Sequence, residues 1–192
     1  AAPPMGEIPR LSQYDPRVAV LLEAAHPFVL TDSSMVQVPV QQWTVPYLAA
    51  HLVGDNVDML VARKDGDGRA RFKYRAEIDD GERVWTVAPT HACERGTFRR
   101  AVQRMREARE RGDELVYVQH GLQASAVDGE LLDDFRRIEL GVVARFKARA
   151  GIGAMKSNTL WVSMAGCVTP AHFDEAHNFF GQVRGRKYFR VT

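Results

Sequence analysis

His172 and Asp174 are the two residues whose types and spacing point most directly to chemistry. They lie in the stretch Val168-Thr169-Pro170-Ala171-His172-Phe173-Asp174-Glu175-Ala176-His177-Asn178-Phe179-Phe180. Side chains at i and i+2 of an extended backbone point the same way, so an imidazole and a carboxylate converge on one point. That is two-thirds of a 2-His-1-carboxylate set, which holds a metal ion and leaves coordination positions open. By itself a His-x-Asp pair is a weak signal, since a histidine packed in a core or loop beside a turn-capping aspartate has the same spacing. The neighbours add to it. Thr169 supplies a hydroxyl three residues before the histidine, Asn178 is a polar group near the same point, and Lys187 falls on the next strand of an expected hairpin. A cation with hydroxyl donors suits a dicarboxylate, with lysine acting as a point charge rather than a fork. The plainer reading of Lys187 is a surface lysine among Arg184, Arg186 and Arg190. His177 is an odd step from Asp174, which turns it to the opposite face of an extended chain and argues against it as a third ligand.

The elements that must position these groups read as helices with scattered strands, followed by strands in succession. Asp15-Pro16 opens a first helix with Val18, Leu21 and Leu22 on its apolar stripe, and Pro27 precedes a short strand at Phe28-Val29-Leu30. A second helix opens at Thr44, with Tyr47, Leu48 and Leu52 inward and Gly54 as a stop. Val57–Ala62 is a strand, and Lys64-Asp65-Gly66-Asp67-Gly68 a polar turn. Thr97 caps an amphipathic helix that buries Phe98, Ala101, Val102 and Met105 and ends at Gly112. Its other face carries Arg99, Arg100, Arg104, Arg106, Arg109 and Arg111 with Glu107 and Glu110 interleaved, which reads as a solvated face. Leu115–Gln119 is a strand, and a long helix is expected from about Leu131 to Arg149, with Leu131, Phe135, Ile138, Val142 and Phe146 recurring at helical spacing. Thr159–Met164, Asn178–Val183 and Lys187–Val191 are expected strands, the last two joined around Arg184-Gly185-Arg186.

Composition bounds the answer without choosing it. The 192 residues suggest one domain, and 45% apolar with 26% charged side chains is ordinary for a globular protein. A formal net charge of +2 gives no argument for nucleic-acid or membrane partners. No apolar run approaches the roughly 18 residues of a membrane span. Cys93 and Cys167 lack any disulfide or metal spacing, so two reduced thiols in an intracellular protein are expected.

Taken together, Val168–Phe180 with Gly185 and Lys187 resembles the JmjC/cupin-type Fe(II)- and 2-oxoglutarate-dependent oxygenases, nearest to the asparaginyl-hydroxylase branch that acts on hypoxia-inducible factor. The resemblance extends along the chain through Ile8-Pro9-Arg10-Leu11-Ser12-Gln13, Asp15-Pro16-Arg17, Val29-Leu30-Thr31-Asp32, Trp43 with Tyr47-Leu48, Phe72 with Tyr74, Tyr117 with Gln119, and Ser157-Asn158 ahead of Met164. It implies a mainly β fold with an α-helical N-terminal elaboration, the double-stranded β-helix of cupins and jelly rolls. The domain is expected to fill residues 1–192, with 1–156 as the elaboration and 157–192 as the first core strands, incomplete at the C-terminus. A sheet left open at its edge agrees with more chain following.

The resemblance also implies roles. His172 and Asp174 would bind Fe(II), with the distal histidine of the family lying beyond Thr192. Lys187, Thr169 and Tyr117 would hold the distal carboxylate of 2-oxoglutarate, Asn178 would sit beside them, and Tyr74 and Gln119 would position a protein substrate. His120, next to Tyr117 and Gln119, is a candidate for lining the same groove. Trp161 and Thr159 stand where the family pattern has leucine. The activity implied is hydroxylation of Asn, Asp or His side chains in extended protein segments, ankyrin repeats included. In that reaction 2-oxoglutarate and O2 become succinate and CO2. The setting implied is cytoplasmic or nuclear, with homodimerisation only in a full-length form. Two other readings stay open: a JmjC lysyl demethylase, and a non-catalytic cupin-like module that binds protein segments.

Overall fold

The computed structural model describes residues 7–74, 76–79, 81, 84–123, 126–138, 143–149, 151, 153, 157–172, 174 and 177–191. The backbone divides into two compact units, one of residues 1–47, 129–155 and 175–192, the other of residues 48–128 and 156–174. Among the described residues no helix is long and apolar enough to cross a membrane.

The second unit is built on an antiparallel sheet. Its strands are β3 (Val57–Arg63), β7 (Ala92–Gly96), β8 (Glu114–Gly121) and β9 (Thr159–Ser163), in the order β7-β3-β8-β9. Strands β3 and β8 supply the apolar alternation that such a sheet needs. Leu60, Ala62, Leu115 and Tyr117 project to one face, where Ala70 and Phe72 complete a buried cluster and Met164 and Cys167 pack against it. Met59, Val61, Val116 and Val118 project to the other face. A short parallel pair, β4 (Ala70–Arg71) with β10 (Cys167–Val168), lies beside this cluster, and a hairpin pairs β5 (Ala76–Asp79) with β6 (Val84–Val87).

Helix α4 (Phe98–Arg111) begins at Thr97, whose hydroxyl accepts from the Arg100 amide, and ends at Gly112 in the left-handed region at φ +78°. Both ends follow the sequence reading, because a β-region threonine and a left-handed glycine satisfy the terminal backbone groups. The arginine face needs one correction. Arg104 is buried, not solvated: its guanidinium donates to Glu94 at 3.1 Å and to Glu114 at 2.7 Å, and Arg111 joins Glu114 at 2.8 Å. Glu94 and Glu114 lie on the strands beneath the helix, so their carboxylates offset the desolvation of the cation.

The first unit is helical. It holds α1 (Arg17–Glu23), a 3-10 turn at Ser34–Val36, α2 (Gln37–Gln42), α5 (Gly129–Ile138), α6 (Ala144–Arg149) and a two-residue parallel ladder of β1 (Arg10–Leu11) with β2 (Val29–Leu30). Leu11, Val18, Val143 and Phe146 form its core, with Phe28, Leu30, Ile138 and Phe179 packed around them. Asp134, only 3% exposed, accepts from Trp43 Nε1 and Tyr47 Oη, each at 2.9 Å. The long helix expected over 131–149 is described as the two pieces α5 and α6, and Val142 lies outside the described residues.

The strands expected at Asn178–Val183 and Lys187–Val191 are not formed among the described residues. An extended segment becomes a strand only when a neighbour pairs its amides and carbonyls, and this one is held by side chains instead. Phe179 stacks on Phe146 at 6.2 Å, and Arg184 donates to the carbonyls of Trp43 at 3.1 Å and Val40 at 3.2 Å, at the end of α2. A cation at a helix C-terminus satisfies carbonyls that have no partner within the helix.

Candidate active site

The sheet face that carries Tyr117 and Gln119 is the candidate site. Strand register sets Tyr117 opposite Leu60 on one side and Ser163 on the other, and Gln119 opposite Asp58 and Trp161. An aromatic row runs across this face. Tyr74 meets His91 edge-on at 5.3 Å, His91 lies 5.8 Å from Phe72, Phe72 meets Tyr117 at 5.5 Å, and Tyr117 meets Trp161 at 5.2 Å. Phe72 is fully buried, whereas Tyr74 and Trp161 are 45% and 40% exposed, so the row has a fixed middle and open ends. Gln119 Nε2 donates to Tyr74 Oη, which brings the two expected substrate-positioning residues together.

Tyr117 and Thr169 also meet through a side-chain hydrogen bond. Thr169 follows β10, and the Phe72 amide donates to the Val168 carbonyl at 2.9 Å, which fixes where β10 releases the chain. Burial pushes the Tyr117 phenol up to about 12, and burial likewise raises Tyr74. Both phenols are therefore neutral near pH 7 and able to donate. Cys167 accompanies them as a half-buried thiol that burial pushes up to about 11, with its Sγ 3.6 Å from the Val116 carbonyl. It is protonated and inert, as a thiol away from cations should be.

Beyond Thr169 the chain carries His172 and Asp174, outside any strand. His172 Nδ1 lies 2.9 Å from the Pro170 carbonyl. A carbonyl can only accept, so Nδ1 is the donor in this contact. Nε2 lies 4.0 Å from Asp174 Oδ1, with the two side chains 60% and 54% exposed. One imidazole nitrogen and one carboxylate oxygen, with the second imidazole nitrogen tied to a backbone carbonyl, form a donor set that suits a ferrous ion. The pair fits such an ion as two of its protein ligands. Among the described residues no group of three or more His, Cys, Asp or Glu side chains gathers around one point.

The other expected residues fall differently. Asn178, His177 and Lys187 belong to the helical unit and are exposed. Lys187 Nζ lies 4.6 Å from the Phe180 ring centre and 5.3 Å from that of Phe189. Loss of water beside these rings lowers its ammonium pKa. His120 is structural, the plainer reading of a histidine without ligand spacing: it lies within β8, buried to 3% exposure, one residue from Gln119 and so on the opposite face. Burial favours its neutral form. His91, likewise without ligand spacing in the sequence, joins the aromatic row between Tyr74 and Phe72. Its Nδ1 is buried without a hydrogen-bond partner, and burial keeps the ring neutral against Tyr74. Nothing in its spacing signals this, because its neighbours Phe72 and Tyr74 come from another part of the chain.

Comparison with known proteins now adds a decisive observation. The family model described as a cupin-like domain matches residues 18–192. The chain belongs to the cupin-like domain family. Its mainly antiparallel sheet with added helices is the architecture expected of this jelly-roll type of fold. The cupin-like chain is also similar to the lysine-specific demethylase JMJ30 of Arabidopsis thaliana, at 31% identity over 96 residues, covering 50% of this chain and 20% of the relative. It thus spans about a fifth of the length of that curated relative.

Proposed function

We propose that this cupin-like protein is an Fe(II)- and 2-oxoglutarate-dependent oxygenase that hydroxylates side chains of extended protein segments, with Asn, Asp or His as targets. The observation that carries the reading is the His172–Asp174 pair: two donor atoms 4.0 Å apart, with the imidazole Nδ1 donating to the Pro170 carbonyl. His172 and Asp174 hold the metal. With 2-oxoglutarate and O2, the bound iron supplies oxidative decarboxylation of the co-substrate to succinate and CO2, coupled to hydroxylation of a substrate C–H bond. The neutral Tyr117 hydroxyl, which accepts from Thr169, would donate to the distal carboxylate of 2-oxoglutarate. By the family resemblance, Lys187 would supply a positive charge for that carboxylate. Asn178 contributes an amide beside the co-substrate. Tyr74 and Gln119, joined by their hydrogen bond, orient the substrate backbone. The partners in this reading are protein segments, in a cytoplasmic or nuclear setting.

The similarity to a lysine-specific demethylase favours a second reading, in which the same chemistry removes a methyl group from lysine. One experiment addresses both. The full-length gene product, loaded anaerobically with Fe(II), is given 2-oxoglutarate, O2 and a peptide library, and succinate is quantified while peptide masses are read. Succinate with peptides gaining one oxygen supports the hydroxylase, and succinate with peptides losing a methyl group supports the demethylase. Peptide binding without succinate overturns both and leaves a non-catalytic binding module.

A further inference from the structure

Helix α4 holds its arginines in two ways. Arg100 donates to Glu107 at 2.9 Å, Arg104 to Glu94 and Glu114, and Arg111 to Glu114 at 2.8 Å, so one flank is neutralised by the protein's own carboxylates. Arg99, Arg106 and Arg109 are exposed and meet no carboxylate among the described residues. At 3.6 residues per turn these three fall within about a quarter of the helix circumference, and the 1.5 Å rise spreads them over about 15 Å. Val102 and Met105, both half-buried, line the edge of this flank that turns toward the buried face. They stand three and four residues from the arginines, the spacing of neighbours on a helix surface. Glu110 is exposed on the outer edge, and three arginines against one glutamate leave the flank positive.

We infer that this flank of α4 is a docking surface for an acidic amphipathic helix of a partner protein. The inference stands apart from the oxygenase reading. Arg99 and Arg106 lie seven residues apart and recur at one edge of the aliphatic pair, as charged positions do beside the seam of packed helices. Guanidinium forks without a carboxylate of their own match acids borne at the same repeat on a facing helix. Val102 and Met105 offer that helix aliphatic surface to cover. A nucleic-acid strand would bring phosphates, but it stacks its bases on aromatic faces, and this flank carries no aromatic side chain.

The test uses the full-length protein and a labelled peptide of about three heptads, with leucine at the seam positions and glutamate on both sides of them. Binding is read by fluorescence anisotropy for wild type, for Arg99→Glu/Arg106→Glu/Arg109→Glu, and for the matching triple glutamine variant, which serves should the glutamate variant fail to fold. Circular dichroism and thermal melts verify folding. Expected are binding to wild type that weakens as salt is raised, a loss of at least about tenfold in the glutamate variant, and a smaller loss in the glutamine variant. A peptide with lysine in place of glutamate should bind the glutamate variant instead. Arg10→Glu, a charge reversal on the exposed end of β1, should leave the affinity as it is. No binding to wild type, an affinity unchanged in the folded variants, or an equal loss in Arg10→Glu overturns the inference. Tighter binding of a single-stranded oligonucleotide, lost in the same variants, also overturns it and makes the flank a nucleic-acid surface.

Discussion

The sheet face and the loop that follows β10 hold their chemical groups by different means. Tyr117, Gln119 and Trp161 sit on paired strands, where register and ring packing fix each direction. His172 and Asp174 stand on an exposed segment, where His172 Nδ1 meets the Pro170 carbonyl. The strand-held groups are arranged before any ligand arrives, as recognition elements must be to spare ordering entropy. In the proposed function the loop-held pair would gain its full order from a bound ion, because metal ligation couples binding energy to local structure. In the proposed function, recognition falls to the sheet and metal binding to the loop.

The sharpest way to break this contrast is to delete a ligand. His172→Ala or Asp174→Ala in the full-length protein is expected to abolish stoichiometric iron binding. Because both side chains are more than half exposed, stability should stay within about 0.5 kcal/mol of wild type. Metal analysis with a denaturant titration checks both halves. Unchanged iron content removes the site assignment, and a large stability loss removes the contrast. Phe72→Ala is expected to do the reverse. Emptying the fully buried centre of the aromatic row should cost about 3–5 kcal/mol, read as a fall in the denaturation midpoint.

Tyr117→Phe sharpens the comparison by keeping the ring and removing the hydroxyl. Stability should fall by only about 1 kcal/mol, while 2-oxoglutarate affinity in the proposed reaction falls about tenfold, since a lost donor to a carboxylate is worth about 1.5–3 kcal/mol. The same residue gives a pH signature. Its phenol is raised in the folded state to about 12, above the unfolded value of about 10. The neutral phenol thus contributes stability that is complete below pH 10 and is lost as pH rises toward 12. Wild type should lose that increment over this window in alkaline melts, and Tyr117→Phe should not. The smallest effect belongs away from the site: Thr97→Ala should cost about 1 kcal/mol through loss of the helix cap. Equal melting temperatures would mean that the cap contributes nothing.

Where sequence patterns are local, they were legible. Thr97 and Gly112 bound α4, and the alternation of Leu115, Tyr117 and Gln119 marks one face of β8, because both patterns depend on a few adjacent residues. The approach of His172 to Asp174 was also foreseen from spacing, although it forms outside any strand. Partnerships set by distant parts of the chain were not visible. Arg104 looked like its exposed neighbours until β7 and β8 supplied Glu94 and Glu114 beneath it. Strands were expected at Asn178–Val183 and Lys187–Val191, but among the described residues no ladder partner meets them, and Arg184 is drawn to helix carbonyls instead. His91 gains its setting from Phe72 and Tyr74 alone.

The parallel pairing of β4 with β10 has a kinetic consequence. Cys167 aligns with Ala70 and Val168 with Arg71, so the strand that delivers Thr169, His172 and Asp174 docks on a segment made far earlier in synthesis. Contacts of such long sequence separation close late, since the loop between them must be ordered first. During translation, Ala70–Arg71 waits while the intervening chain emerges. His172 and Asp174 reach their place only when that ladder closes, so in the proposed function metal loading would follow it.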